Sequence, residues 1–334
     1  HRHDTPPPAA LDLSIARSEL PAVENAYAYF AEAMEALYWP WGDEAFRSAY
    51  MRRETIAAEQ LREIFARNEE TIELIRQGLA CGACQFPRWS RPEDLDLRAL
   101  QWFDMARMLA LQSRENQRAG KAAEAVDMCV TLLGFGSLLQ RNAELFLAHA
   151  WGMTALQIGF TRAQELAGDA MVTGGDLERL AEALSRIGPF DDGLIRTIKG
   201  EYAYHCAVID QTRSTALSIE GLDWSRYGAQ MLGWRLLERS RYSFAPGATK
   251  RVIGELARQM IANTPRCYAE IERIDADALL GLGGRESPRI WARNAIGIDF
   301  GLQFLQFENL FDMKSLDETN LAATRLIVAL HRYR

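Results

Sequence analysis

Glu201 and His205 are four residues apart on a helix that begins near Asp191, so they share one face. That face is otherwise the apolar stripe of Leu194, Ile198 and Ile209. A carboxylate there is costly unless it is paired or hydrogen-bonded. A carboxylate beside an imidazole could act as a general acid/base pair or supply two metal ligands. The alternative is a structural glutamate bonded to an arginine or to a helix end. On either reading Glu201 is expected to be buried and partnered.

Cys81 and Cys84 form a CxxC. Such a pair can be a redox couple, half a metal site or a local disulfide. A zinc site needs two further ligands, and the chain has no second CxxC and no HxxxH. Thioredoxin-like chemistry would need a strand before the motif, where the pattern here is helical. A free pair, or a structural disulfide in an oxidising compartment, is the bland alternative. Trp39, Trp41 and Tyr202 are candidates for stacking against a ligand. A Trp-Pro-Trp cluster can equally seal one end of a core. No P-loop, dinucleotide glycine pattern, GxSxG or HExxH is present. No cofactor and no metal is therefore expected.

The elements that must position these residues are organised around Leu97 to Asn142, which reads as two helices joined at Gly120-Lys121. Ala122, Ala125, Val126, Cys129, Leu132, Leu133 and Gly136 recur on one face of the second helix. This is an αα-hairpin of tetratricopeptide character, with small residues where helices must approach. Upstream, residues 1–20 read as an arm or linker. Val23, Ala26, Tyr27, Phe30, Met34 and Leu37 mark a first helical face, ended by Trp39-Pro40-Trp41-Gly42-Asp43. A second helix carries Leu61, Ile64, Phe65, Asn68, Ile72, Ile75 and Leu79. Downstream, Leu145 to Leu166 is apolar nearly all round and belongs in the middle of the fold. Thr173 with Asp176 looks like a helix start, and Gly188-Pro189 like a stop. Residues 213–245 are less regular, with Trp224, Tyr227, Trp234 and Tyr242 as packing anchors and a possible subdivision of the domain. Arg251 to Ile261 reads as a helix and Leu280 to Gly284 as a loop. Thr264-Pro265 and Ser287-Pro288 read as cap-and-proline starts, the latter opening a helix to about Phe307, and Ser315 with Glu318 as a capping box for the last helix. No period-two alternation is sustained. The expected fold is all-α: an irregular α-solenoid or TPR-like curved bundle of antiparallel helix pairs, forming one domain over residues 21–334.

The chain has 334 residues, 48% apolar and 25% charged, the balance of a folded protein. A formal charge of −7 argues against a nucleic-acid surface, which needs clustered Lys and Arg. No apolar stretch is expected to reach the length of a membrane span, Leu145 to Phe160 coming nearest.

Several short pieces together resemble uncharacterised all-helical proteins of bacterial cell envelopes. They are Glu24-Asn25-Ala26-Tyr27, Ala66-Arg67-Asn68-Glu69-Glu70, Cys84-Gln85-Phe86-Pro87, the Gly120-to-Leu139 hairpin, Lys199-Gly200-Glu201, Ser287-Pro288, and the ending Thr324-Arg325-Leu326-Ile327-Val328-Ala329-Leu330-His331-Arg332-Tyr333-Arg334. That group usually has Asn-Pro in place of Ser287-Pro288, and often an acidic or Asp-Pro turn at Lys121-Ala122. The resemblance implies an all-helical fold and an extracytoplasmic address, in periplasm or envelope, and supplies no reaction. The missing N-terminal Met fits a removed leader or a trimmed start. By the same resemblance the natural chain is expected to continue past Arg334, and an anchor could lie outside this segment. The functional expectation is a non-enzymatic scaffold that binds a peptide, a protein partner or an apolar ligand. The alternative is an extracytoplasmic enzyme with Glu201 and His205 in a central pocket.

Overall fold

The computed structural model describes residues 11–17, 19–52, 54–87, 99–215, 245–275, 278–279, 298 and 300–333. Among these there is no strand, and eleven α-helices account for the fold. They are α1 (Ala26–Ala36), α2 (Glu44–Arg52), α3 (Ala58–Arg67), α4 (Glu69–Cys81), α5 (Ala99–Arg118), α6 (Ala122–Asn142), α7 (Phe146–Ala167), α8 (Gly174–Ser185), α9 (Asp191–Thr215), α10 (Pro246–Asn263) and α11 (Asn309–Arg332).

The hairpin is α5–α6, turned at Gly120, whose φ of 74° is the left-handed conformation that glycine adopts without strain. The closest helix pair is α6–α7. A Cβ added at Gly136 would lie 2.8 Å from Leu156 N, and one at Gly159 would lie 2.7 Å from a Leu133 methyl. Glycine at these positions lets the two backbones meet. Among the described residues there are four cores; the first two share this pair, and the fourth, with Phe46, Ile64 and Leu111, joins α2 and α3 to α5. One, with Phe30, Trp102, Phe135 and Trp151, joins α1, α4 and α5 to it. A second, with Phe160, Leu180, Leu184 and Val328, adds α8 and α11. The third lies between α9, α10 and the approach to α11, and includes Leu13 and Phe304. Within the stretch expected to be an arm, Leu13 is thus buried, and Arg17 pairs with Glu144.

Two asparagines fix the N-terminal third. Asn25 caps α1 by accepting from Tyr27 N (3.1 Å), and also accepts from Gln85 N (2.7 Å) while its amide donates to Gln85 O (2.9 Å). Asn68 is fully buried, accepts from Tyr38 N (2.9 Å) and donates to Tyr38 O (2.8 Å). This exchange interrupts the helix expected over Leu61 to Leu79, which is two helices, α3 and α4, with Asn68 at the junction.

Other expectations are corrected. Val23 lies in a 3-10 turn and is exposed, outside the apolar face assigned to it. Thr264 ends α10 instead of starting a helix, because its hydroxyl bonds backwards to Met260 O (3.1 Å) and its carbonyl is taken by Lys314 Nζ (2.6 Å). Among the described residues the next element is the 3-10 turn Tyr268–Glu270. Ser315 is interior to α11, since the chain enters that helix from the turn Gln306–Glu308 and needs no side-chain cap. The Thr173–Asp176 capping box is present in full. Helix α6, not α7, has the length and composition of a membrane span, with a mean hydropathy of 1.5 and 61% of that window buried inside the protein. An apolar helix covered on most sides by α5, α7 and α8 is how a core helix reads. Leu280 to Gly284, Ser287-Pro288 and the anchors Trp224, Tyr227, Trp234 and Tyr242 lie outside the described residues.

Two polar contacts register α11 against α7: Gln164 donates to Thr324 (2.8 Å), and Gln157 donates to Asp317 Oδ1 (3.0 Å). Asp317 is 0% exposed, and its second oxygen has no hydrogen bond. Burial pushes its carboxyl up to about 7, against the Gln157 bond that lowers it. The native state therefore holds the proton that the unfolded chain releases near pH 4, and stability is lost as pH rises from there through 7. Asp317→Asn should melt like the parent at pH 4 and higher than the parent at pH 8. The gain, on the order of 2–4 kcal/mol, would be read by thermal unfolding across that range.

Candidate functional site

Glu201 and His205 lie where α9 crosses the α6–α7 corner. A Cβ at Gly200 would overlap the carbonyl of Glu144, so only glycine lets α9 seat there. The seating brings Glu201, 5% exposed, to the start of α7, where its Oε1 accepts from Phe146 N at 2.6 Å. Leu145, the residue that precedes α7, provides no side-chain cap, so Glu201 caps the helix from a distance of 55 residues in sequence. A helix N-terminus has unpaired N–H groups and favours negative charge, which is what a carboxylate supplies. One turn earlier, Thr197 Oγ1 donates to Gly193 O (2.9 Å) and lies 3.1 Å from His149 Nδ1. Glu144, at the corner, pairs with Arg17 (Nε to Oε1, 2.9 Å) and lies 3.6 Å from Arg196.

His205 is 7% exposed. Its Nδ1 donates to the backbone carbonyl of Glu201 at 2.9 Å and lies 3.5 Å from Glu201 Oε2. Phe300, Phe304 and Phe307 meet its ring edge-on, with centroids 5.4 to 6.4 Å away. The pair is thus brought together, enclosed by aromatic rings, with the carboxylate engaged on backbone. Among the described residues no group of three or more His, Cys, Asp or Glu is placed to hold a metal ion. His149 is a second buried imidazole, held down to about 4 by burial despite a backbone hydrogen bond to Gln140 that raises it. It stays neutral in the fold, so stability is lost as pH falls from about 6.5 through 4.

Cys81 ends α4, and Gly82, in the left-handed conformation, turns the chain so that Cys84 enters the core. Both are free thiols. Burial, and then the neighbouring Cys81, push the Cys84 thiol up, which disfavours the thiolate that redox chemistry needs. Tyr202 faces α10, close to Gly254, Cys206 and Arg258, and burial raises its hydroxyl. It belongs to a different core from Trp39 and Trp41. Those two pack with Phe46 and Tyr50 in edge-on pairs 5.1 to 6.4 Å apart. Trp41 Nε1 donates to both oxygens of Asp104, at 2.9 Å each.

Beside this aromatic cluster is a cleft that the sequence reading missed. It has a volume of about 290 Å³ and lies between α2, α5 and α7. Ala110, Leu111 and Ile158 give it an apolar floor, Tyr50 and Met51 one wall, and Arg107, Arg114, Thr161, Arg162 and Glu165 line the rest. Arg107 pairs with Asp104 (2.7 Å) and stands over the Trp41 ring at 5.4 Å. Arg162 is almost wholly buried, bonded to Ser113 (2.9 Å), Glu165 (2.6 Å) and Gln117. For Arg114 no hydrogen bond or ion pair exists among the described residues. The available signal was Arg162 itself, a cation in the middle of an apolar helix. No protein-family model, no curated protein and no solved structure matches this chain.

Removing the distant cap should expose its role. Glu201→Gln keeps an acceptor for Phe146 N and should change stability by under about 1 kcal/mol, whereas Glu201→Ala leaves a buried donor unpaired and should cost about 1–3 kcal/mol. Urea unfolding of both variants reads the difference. Gly200→Ala, which forces a methyl into the Glu144 carbonyl, should cost more than either, or prevent folding.

Proposed function

We propose that this chain is a non-enzymatic binding protein of the bacterial cell envelope, an irregular TPR-like solenoid whose ligand sits between helix pairs. The arginine-lined cleft carries the reading. It is open and apolar at its floor, and it holds one cation, Arg114, without a counter-charge among the described residues. Its volume is at the low end for ligand pockets, about 300–1,000 Å³, which suits a small ligand or the end of a peptide. Arg107 and Arg162 already have carboxylates, so the surplus is one positive charge. A ligand with one carboxylate and a short apolar body matches that balance, since guanidinium binds carboxylate in a forked geometry. The envelope address rests on the resemblance of the short sequence motifs.

A second reading, an extracytoplasmic enzyme, is favoured by one observation: Glu201 Oε2 and His205 Nδ1 are 3.5 Å apart in an enclosed site. Catalysis there would require the carboxylate to leave Phe146 N, or to act through its free oxygen.

Titration of the protein with hexanoate, followed by calorimetry and by Trp41-proximal fluorescence quenching, should show saturable binding. Loss of one charge-assisted contact in Arg114→Ala should weaken it about 10- to 100-fold. Hydrolytic activity that disappears in folded Glu201→Gln would favour the enzyme instead.

A further inference from the structure

The arginine-lined cleft is built from one face of each of two helices. From α5 it takes Arg107, Ala110, Leu111 and Arg114, and from α7 it takes Ile158, Thr161, Arg162 and Glu165. Both sets fall at i, i+3, i+4 and i+7, a single stripe of an α-helix. Helix α6 runs against both neighbours. It is the returning arm of the α5–α6 hairpin, and its Gly136 and Gln140 meet Leu156 and Gly152 of α7 in reverse order. Helices α5 and α7 therefore run in the same direction, and the bonds from Arg162 to Ser113 and Gln117 set their level. Arg114 and Glu165, the last member of each set, come to one end of the cleft. The apolar floor runs back from them for about 10 Å at 1.5 Å per residue. That end offers two unused groups. Arg114 has no hydrogen bond or ion pair among the described residues. Glu165 Oε2 accepts from Arg162 (2.6 Å), but its Oε1 has no hydrogen bond among the described residues, and its side chain is 42% exposed.

We infer that the cleft binds the C-terminus of a peptide whose last residue is aliphatic. The inference rests on the carboxylate-binding reading above and specifies its ligand. The terminal carboxylate pairs with Arg114, the last amide N–H donates to Glu165 Oε1, and the last side chain lies on Ala110, Leu111 and Ile158. The carboxylate and the amide of a terminal residue are joined through one Cα, so they need a cation and an acceptor at the same end of one cleft. Charge selects among the carboxylates that could enter. Asp104 balances Arg107 and Glu165 balances Arg162, which leaves Arg114 as the one excess positive charge. A peptide terminus brings one negative charge and a neutral donor, so it cancels the excess and also satisfies Oε1. A free amino acid is zwitterionic and leaves the excess uncancelled. A fatty acid cancels the charge but sets its alkyl chain against Oε1, an acceptor it cannot satisfy. The cleft is open on one side, so the preceding residues of the peptide can leave into solvent.

Calorimetry on the full chain with a set of small ligands separates these cases. N-acetyl-leucine reproduces a peptide terminus, N-acetyl-N-methyl-leucine lacks only the N–H, N-acetyl-leucinamide lacks the charge, hexanoate lacks the amide, and L-leucine adds an ammonium. N-acetyl-leucine should bind about 10-fold tighter than hexanoate and than its own N-methyl form, the worth of one charge-assisted hydrogen bond, and the leucinamide should show no saturable binding. Glu165→Gln, which keeps an acceptor for Arg162, should shrink the N-methyl penalty to about threefold or less. The N-methyl comparison is made on the parent chain, so it stands even where the variant does not fold. Hexanoate binding that N-acetyl-leucine does not exceed overturns the peptide terminus and leaves the carboxylate cleft standing. L-leucine binding tighter than N-acetyl-leucine overturns it in favour of a free amino acid. An N-methyl penalty of full size in folded Glu165→Gln overturns Glu165 as the acceptor and the inference with it. No binding of any carboxylate overturns both this inference and the reading on which it rests.

Discussion

The backbones of α6 and α7 approach until a methyl group no longer fits between them. Gly136 and Gly159 permit this, and Gly152, facing Gln140, completes the row. The short connection Ala143-Glu144-Leu145 must then turn tightly, and its polar groups need partners that neither helix provides. Helix α9 supplies them. Thr197 and Glu201 bond to that corner, and Gly200 lets them reach it. With the corner fixed, α7 presents one side to α5 and the other to α11, and two of the four cores grow outward from the pair.

The parts of this arrangement that were legible in sequence are those governed by local rules. Gly120 as a turn, the Thr173 capping box and the apolar character of α7 each depend on residues within a few positions. Glu201 was legible only as an oddity. Its place on an apolar stripe required a partner, but the partner is a backbone N–H 55 residues away, and nothing in the pattern around Phe146 announces it. The same limit hid the split at Asn68, because Tyr38 breaks the helix from outside its own segment. Ser315 misled for the opposite reason, since a capping sequence has no effect where the chain arrives already helical.

Several of the short motifs acquire a physical meaning in the fold. Asn25 and Gln85 exchange bonds between α1 and the loop after α4, so two separate motifs are halves of one clamp. Lys199-Gly200-Glu201 is the crossing point of α9. The residues most suggestive of chemistry are thus largely occupied with holding backbone, and in the cleft, which no motif marked, Arg114 alone of the three arginines has no hydrogen bond or ion pair among the described residues. Arg107 and Arg114 are one heptad apart on α5, an ordinary spacing for surface charge, and Arg162 joins them only through the α5–α7 packing.

The contact of α11 with α7 has a consequence for synthesis. Gln157 and Asp317 are 160 residues apart. During translation α7 and α8 are complete long before the helix that covers them leaves the ribosome. Their apolar faces, Leu156, Phe160 and Leu180 among them, stay open through that interval. Non-local pairing of this kind slows folding and leaves a nascent chain prone to aggregation. The N-terminal core around Phe30 and Trp102 has no such dependence and can close as soon as α7 emerges. Folding of this chain should therefore proceed in two stages, and a holdase would find its binding surface in the gap between them.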